Sequence, residues 1–244
     1  MAKTAAVGDR FFADGYDMSG DIGAVQALSN TRGEQDVTGL NAAGHERLQL
    51  LADGAIGFNS YYTGQATDSP LVHAHERFKA HTSMVNCTYL AGTTLGGYGY
   101  GLVAKQFSYG MERGADAALL CSVSAKAAGG TAPEWGLILE DAATSTTNEN
   151  GTALDLGAAH GIDDMAFYLH AVAFTGTSVT IIIQTDDNSG FSSASTYGSF
   201  TAVSGRTSQR LEVAGAPERY IRWRTNAGTF TSVTFTILAC PLYD

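Results

Sequence analysis

The stretch Leu102-Val-Ala-Lys-Gln-Phe-Ser-Tyr-Gly-Met-Glu-Arg-Gly-Ala-Asp-Ala-Ala-Leu-Leu-Cys-Ser-Val-Ser-Ala-Lys126 decides the fold. Its odd positions carry Val103, Phe107, Tyr109 and Met111, then Ala115, Ala117, Leu119, Cys121, Val123 and Ala125. Its even positions carry Gln106, Ser108, Asp116, Ser122, Ser124 and Lys126. Side chains alternate faces along a strand, so each arm has one apolar and one polar face. In the middle, Glu112-Arg113-Gly114 places a glycine where a three-residue hairpin turn needs a left-handed residue. An odd loop pairs odd with odd, which predicts Met111 near Ala115, Phe107 near Leu119 and Val103 near Val123. The stretch is expected to form a long antiparallel hairpin with both apolar rows on one face. Lys105 interrupts that row, either as a lysine snorkelling from the core or as a polar position at an interface. Arms of roughly ten residues are long for strands, and their edges must be paired or protected.

Working outward, 244 residues suffice for one large all-β domain or two smaller ones. Charged residues make up 16%, with 29 glycines and only 4 prolines, a β-rich globular composition rather than a disordered or coiled-coil one. The net charge of −10 argues against nucleic acid wrapping around the protein, because no basic stripe is present to displace phosphate counterions. Cys87, Cys121 and Cys240 are widely spaced in apolar runs, which is neither a disulfide framework nor a zinc pattern and fits folding in a reducing cytoplasm. The N-terminus lacks an apolar signal core and no run is long enough to span a membrane, so neither export nor a membrane span is expected.

Along the chain, residues 1 to 35 read as a glycine-rich extended arm with a strand at 22–28, and 36–40 as a short strand. Residues 42–52 have helical character and end at Asp53-Gly54; residues 55–63 read as a strand. Ser69 to His81 is the best helix, with Ser69 as cap, Pro70 in the first turn, and Leu71, Ala74, His75 and Phe78 on one face. Strands are expected at 84–91 and 134–140. The polar run 141–152 reads as a linker between a domain of residues 1–145 and one of residues 153–244. In the second domain, strands at 166–174 and 179–184 flank a turn at Thr175-Gly176-Thr177. Strands at 219–225 and 231–239 flank Asn226-Ala227-Gly228. Regular strand spacing without a helix predicts a β-sandwich.

No catalytic, cofactor or metal site is expected. The glycine run at 96–101 leads into a strand, whereas a phosphate cradle needs a helix N-terminus or a placed lysine. His73, His75 and His81 lack zinc spacing, and His160 and His170 have no visible partner. The run from Asp186 to Gly190 resembles part of a calcium loop but lacks the distal glutamate, so it reads as a turn. No nucleophile elbow or triad can be assembled. Trp223 between Arg222 and Arg224 reads as a half-buried sandwich tryptophan, with a sugar-stacking face as the alternative.

The layout resembles the major tail proteins, or tail tube proteins, of long-tailed non-contractile bacteriophages, of the two-domain kind. The matching features run from Asp36-Val37-Thr38-Gly39 through Gly44-His45-Glu46-Arg47-Leu48 to Leu51-Ala52-Asp53-Gly54-Ala55-Ile56-Gly57-Phe58. The helix at 71–81, the strand at 84–91 and Leu102-Val103-Ala104-Lys105-Gln106 leading into the hairpin also match, so the resemblance spans roughly residues 5 to 140. It implies an all-β fold with one short flanking helix: an N-terminal tail-tube-type β-sandwich or partial barrel plus an outer C-terminal β-sandwich. It also implies a virion tail protein, made in the host cytoplasm, whose copies form stacked rings of six. Its partners would be itself, a tape-measure protein and tail-end proteins, and DNA would pass through the lumen without specific binding. On this reading Val103, Lys105, Gln106, Ser108, Glu112, Asp116, Ser122 and Ser124 belong to the tube wall, and any of Asp36, Asp53, Glu112 and Asp116 could line the channel. The competing readings are a carbohydrate- or host-surface-binding module using Arg222, Trp223 and Arg224, and a capsid-decorating protein.

Overall fold

In the computed structural model, residues 8–62, 74–79, 82–114 and 119–243 are described. In chain order the elements are β1 (Arg10–Ala13), β2 (Tyr16–Asp17), β3 (Ile22–Asp36), β4 (Arg47–Tyr61), α1 (Ala74–Phe78), β5 (Met84–Leu90), β6 (Tyr98–Arg113) and β7 (Leu119–Ala127). Then come β8 (Glu134–Ser145), β9 (Leu154–Asp155), β10 (Asp164–Asp186), β11 (Ser195–Ser199), β12 (Thr207–Val213) and β13 (Tyr220–Leu242). The protein is all-β, as its alternating apolar pattern dictates.

The longest ladder is the antiparallel pair β10–β13, which runs from Asp164↔Leu242 to Asp186↔Tyr220. The sequence here reads as two hairpins, yet each expected turn lies inside one continuous strand of 23 residues. Gly176 faces Phe230 and Gly228 faces Val179, two rungs apart on the paired strands, with φ of 144° and 142°, among the ladder's register shifts. A Cβ on Gly228 would lie 2.1 Å from the Ser178 carbonyl oxygen, and one on Gly176 would lie 2.5 Å from the Phe230 Cα. Glycine therefore bends both strands together without breaking their pairing. The bent ribbon closes on its own core: Phe167, Leu169 and Ala171 from one arm of β10 meet Val179, Ile181 and Ile183 from the other, with Trp223, Phe235 and Ile237 from β13.

The N-terminal half is a sheet in the order β2-β1-β5-β6-β7-β4-β3. Its core holds Phe11, Ile56, Phe58, Phe78, Val85, Leu102 and Val123, with Phe58 and Phe78 ring centroids 5.4 Å apart. The helix at 69–81 is helical over Ala74–Phe78; Leu71, His73 and His81 lie outside the described residues. Two local expectations fail. Residues 47–52 are strand, not helix, and pair with β3 through Glu34↔Gln49 and Asp36↔Arg47. A short helix with no core to dock on loses to a ladder of 15-residue strands. The expected strand at 36–40 is instead the start of the loop joining β3 to β4, where the Asp36 carboxylate accepts the Thr38 amide at 2.9 Å.

The two halves share one hydrogen-bonded sheet. β8 first continues the line of β7 along β6, from Gly101↔Glu134 to Tyr98↔Leu137, then passes to β13, ending at Val233↔Ser145. The expected linker at 141–152 is therefore strand over its first five residues. A third cluster draws on both halves: Phe12, Leu90 and Ile138 with Ala166, Tyr168, Leu238 and Cys240. Polar ties reinforce it. Arg210 makes a two-pronged ion pair with Glu134, whose Nε–Oε2 arm is 3.1 Å, and Arg10 Nε lies 3.4 Å from Asp141.

His170, for which the sequence shows no partner, is fully buried at this seam. Its Nδ1 accepts the Gly15 amide proton at 3.2 Å, so Nε2 carries the hydrogen and donates to Thr88 Oγ1 at 2.8 Å. Burial pushes its pKa down from 6.5 to about 3.

Two outcomes follow from these contacts. Gly228→Ala is expected to cost about 2–4 kcal/mol of unfolding free energy, read from the denaturant midpoint; a loss under about 0.5 kcal/mol would refute the bend. For His170, the unfolded chain binds the proton near pH 6.5 and the folded chain only near 3. Stability is therefore present above pH 6.5 and declines as pH falls through that window. Comparing midpoints of the wild type and His170→Gln from pH 7 to 4 isolates the contribution, and equal slopes would contradict it.

Candidate assembly surface

The β6–β7 hairpin forms, but not in the expected register. Its pairs are Arg113↔Leu119, Met111↔Cys121, Tyr109↔Val123 and Ser108↔Ser124. The connection thus begins at Gly114 rather than closing at Glu112-Arg113-Gly114, and residues 115–118, Asp116 among them, lie outside the described residues. Odd still pairs with odd above Ser108. Below it the register shifts, with Gln106↔Ala125, Lys105↔Lys126 and Ala104↔Ala127. Phe107 is the extra residue of a β-bulge and is 66% exposed.

That bulge explains Lys105. Above it the odd residues Tyr109 and Met111 stand opposite the core-facing Val123 and Cys121. Below it the even residues Tyr100, Leu102 and Ala104 are buried. Lys105 therefore never enters the apolar row, and it stands exposed beside Lys126 on the outer face of the sheet. Ser108, Glu112 and Ser122 are exposed there too, Ser124 is half-buried, and Val103 is half-buried against the third cluster. Only the backbone register of Gln106 is described.

Sequence reasoning missed the most exposed element. β3 and β4 form a two-stranded ribbon whose outer part, residues 31–51, is almost entirely solvent-exposed. Leu40 is fully exposed, Leu51 is 91% exposed, and Val37, Leu48 and Leu50 are also open. Leu50 and Leu51 together oppose Gly33, a second bulge that turns both leucines outward. Among the described residues β3 pairs with no strand but β4, so its other side is an open sheet edge, although the Tyr100 hydroxyl reaches the Ser29 carbonyl at 2.7 Å near its base. The signal was in the sequence: Leu48, Leu50 and Leu51 are apolar, and nothing nearby could cover them. Polar tip residues hold the loop, with His45 Nδ1 2.9 Å from Asp36 and Arg47 3.2 Å from Glu34. Hydrogen bonds from Thr38, then from His45, keep the Asp36 carboxyl below its usual range.

The second candidate face does not assemble. Trp223 is only 4% exposed, packs edge-on against Phe235 at 4.9 Å, and donates its Nε1 hydrogen to Glu140 at 2.7 Å. A sugar-stacking ring must be open to solvent, so Trp223 is a core residue. Arg222 is turned aside, stacked over Phe191 at 4.1 Å with Nε donating to Gln184, and Arg224 is half-buried. The 186–190 turn gains a carboxylate the sequence did not offer: Glu218 joins Asp186 and Asp187, with ligand atoms within 4.8 Å. Asp186 already accepts the amides of Asn188 and Ser193, each at 2.8 Å, and that clasps the loop.

No family model matches the chain, and no curated protein matches it. Among solved structures it is similar to the SPP1 Dit protein (gp 19.1), described as a paradigm of the hub adsorption apparatus in phages that infect Gram-positive bacteria. The two are 10% identical, the match covers 95% of this chain and 98% of that one, and the TM-score is 0.36.

Proposed function

We propose that this chain is a structural protein of a bacteriophage tail that associates with itself into stacked rings, six copies in each, to form a tube through which DNA leaves the capsid. The sequence resemblance over roughly residues 5 to 140 supports the family. The observation that carries self-association is the β3–β4 ribbon, with its long free edge and exposed leucines. Such a ribbon is marginal alone in water and gains stability when a neighbour pairs with or covers it. The net charge of −10 suits a lumen that repels phosphates and lets DNA slide. A tape-measure protein inside the tube and tail-end proteins at its tip are the partners this role calls for.

A non-catalytic role fits the buried nucleophiles. Burial lifts the Cys87 thiol to about 12 and the Cys240 thiol well above its ordinary value, so both stay protonated and inert.

Electron microscopy and sedimentation of the purified protein test the reading. Rings or tubes are expected for the wild type, and Leu40→Asp with Leu51→Asp should leave monomers whose unfolding midpoint is unchanged, since both side chains are exposed. A wild type that remains monomeric at high concentration would count against it.

A further inference from the structure

Lys105 and Lys126 are two of the chain's four lysines, and the β6–β7 register sets them directly opposite each other. Paired positions share a face, so two ammonium groups stand side by side in solvent, an arrangement that destabilises a sheet when nothing neutralises it. Among the described residues no carboxylate pairs with either one; Lys126 only leans over the Phe107 ring at 5.7 Å. The neighbouring strand places Met84 opposite Lys105, and Met84 is 55% exposed beside Phe107 at 66%. The outer face of the N-terminal sheet thus carries a compact patch of two unpaired cations and two open apolar side chains.

The ribbon tip has the complementary make-up. Glu34, Asp36 and Glu46 are exposed there against Arg32 and Arg47, an excess of one negative charge with Arg47 paired to Glu34, and Leu40, Leu50 and Leu51 stand open around them. The far end of the ribbon, which carries Glu34, Asp36 and Glu46, stands away from the patch of its own molecule. Lys126 pairs with Ala55, and Arg47 lies eight residues further along the same strand, roughly 25 Å away. We infer that the acidic, leucine-bearing tip of the β3–β4 ribbon in one copy docks on the Lys105–Lys126–Met84–Phe107 patch of a second copy. The contact joins two different surfaces, so it is heterologous and propagates from copy to copy until a ring closes or a filament grows. The inference rests on the self-association proposed above and adds the two surfaces that meet.

Zero-length carbodiimide cross-linking of the assembled full-length chain, mixed from two isotopic labels, tests it directly. The expected products join Lys105 or Lys126 of one copy to Glu34, Asp36 or Glu46 of another. In parallel, Lys105→Glu with Lys126→Glu should raise the concentration needed for assembly about tenfold or more, and adding Glu34→Lys with Glu46→Lys should restore it. Unfolding midpoints check that each variant folds, and the neutral pair Lys105→Gln with Lys126→Gln serves if reversal disturbs the sheet. A wild type that does not assemble overturns the self-association reading and this contact together. Assembly with cross-links elsewhere, or lysine variants that assemble like the wild type, overturns this contact alone. Failure of the charge swap to restore assembly also overturns it.

Discussion

Everything in the C-terminal half depends on one ladder staying continuous through its bends. β10 and β13 pair over their whole lengths, and the remaining strands hang from that pair: β11 and β12 on β10, β8 and β9 on β13. Two glycines two rungs apart on the paired strands let the ribbon fold over at its bulges while the pairing resumes on either side, so both of its arms line a single core. A side chain at either glycine would meet the opposite backbone, which makes the pair a matched device rather than two separate weak points.

The same ladder holds the N-terminal half in place. Tyr168 and His170 project from β10 into the seam, where Tyr168 fills the space over Gly101 and His170 ties the Gly15 turn to Thr88. β8 completes the join by lying along β6 and then along β13. Burying a histidine neutral and a Glu134–Arg210 pair at this seam costs desolvation, which their hydrogen bonds offset. Partners that fit only in one relative position are what such a seam supplies.

Alternation was the part of the sequence that could be trusted. The parity of Val123, Ala125 and Cys121 places β7, and the all-β class follows from repeating that reading along the chain. Punctuation was less reliable. Gly176 and Gly228 look like turn residues because a turn and a paired bend ask for the same backbone freedom, and only the partner strand tells them apart. Residues 42–52 look helical because Ala, Leu, Glu and Arg favour helix, but the ladder with β3 outweighs a short helix with nothing to pack on. Lys105 looked misplaced because a bulge at Phe107 shifts parity by one, and one extra residue leaves no mark in the pattern. Trp223 reads as a half-buried sandwich tryptophan, and Glu140 and Phe235 around it place it in the core rather than on a sugar-stacking face.

Exposure at the ribbon also follows from physics rather than from any motif. A two-stranded ribbon has no second layer, so its apolar side chains stay wet unless another surface arrives. The tip does not act as a general adhesive, because Glu34, Asp36, Glu46, Arg32 and Arg47 interleave with its leucines and charge an incoming strand must neutralise. With three carboxylates against two arginines, those charges favour a partner surface that is apolar and basic together. In a chain with 14 basic and 24 acidic residues, two lysines that form no ion pair among the described residues are a scarce feature, and the register places both on one face. On the contact inferred above, a long edge that would otherwise invite indiscriminate pairing is restricted to one that repeats in one direction.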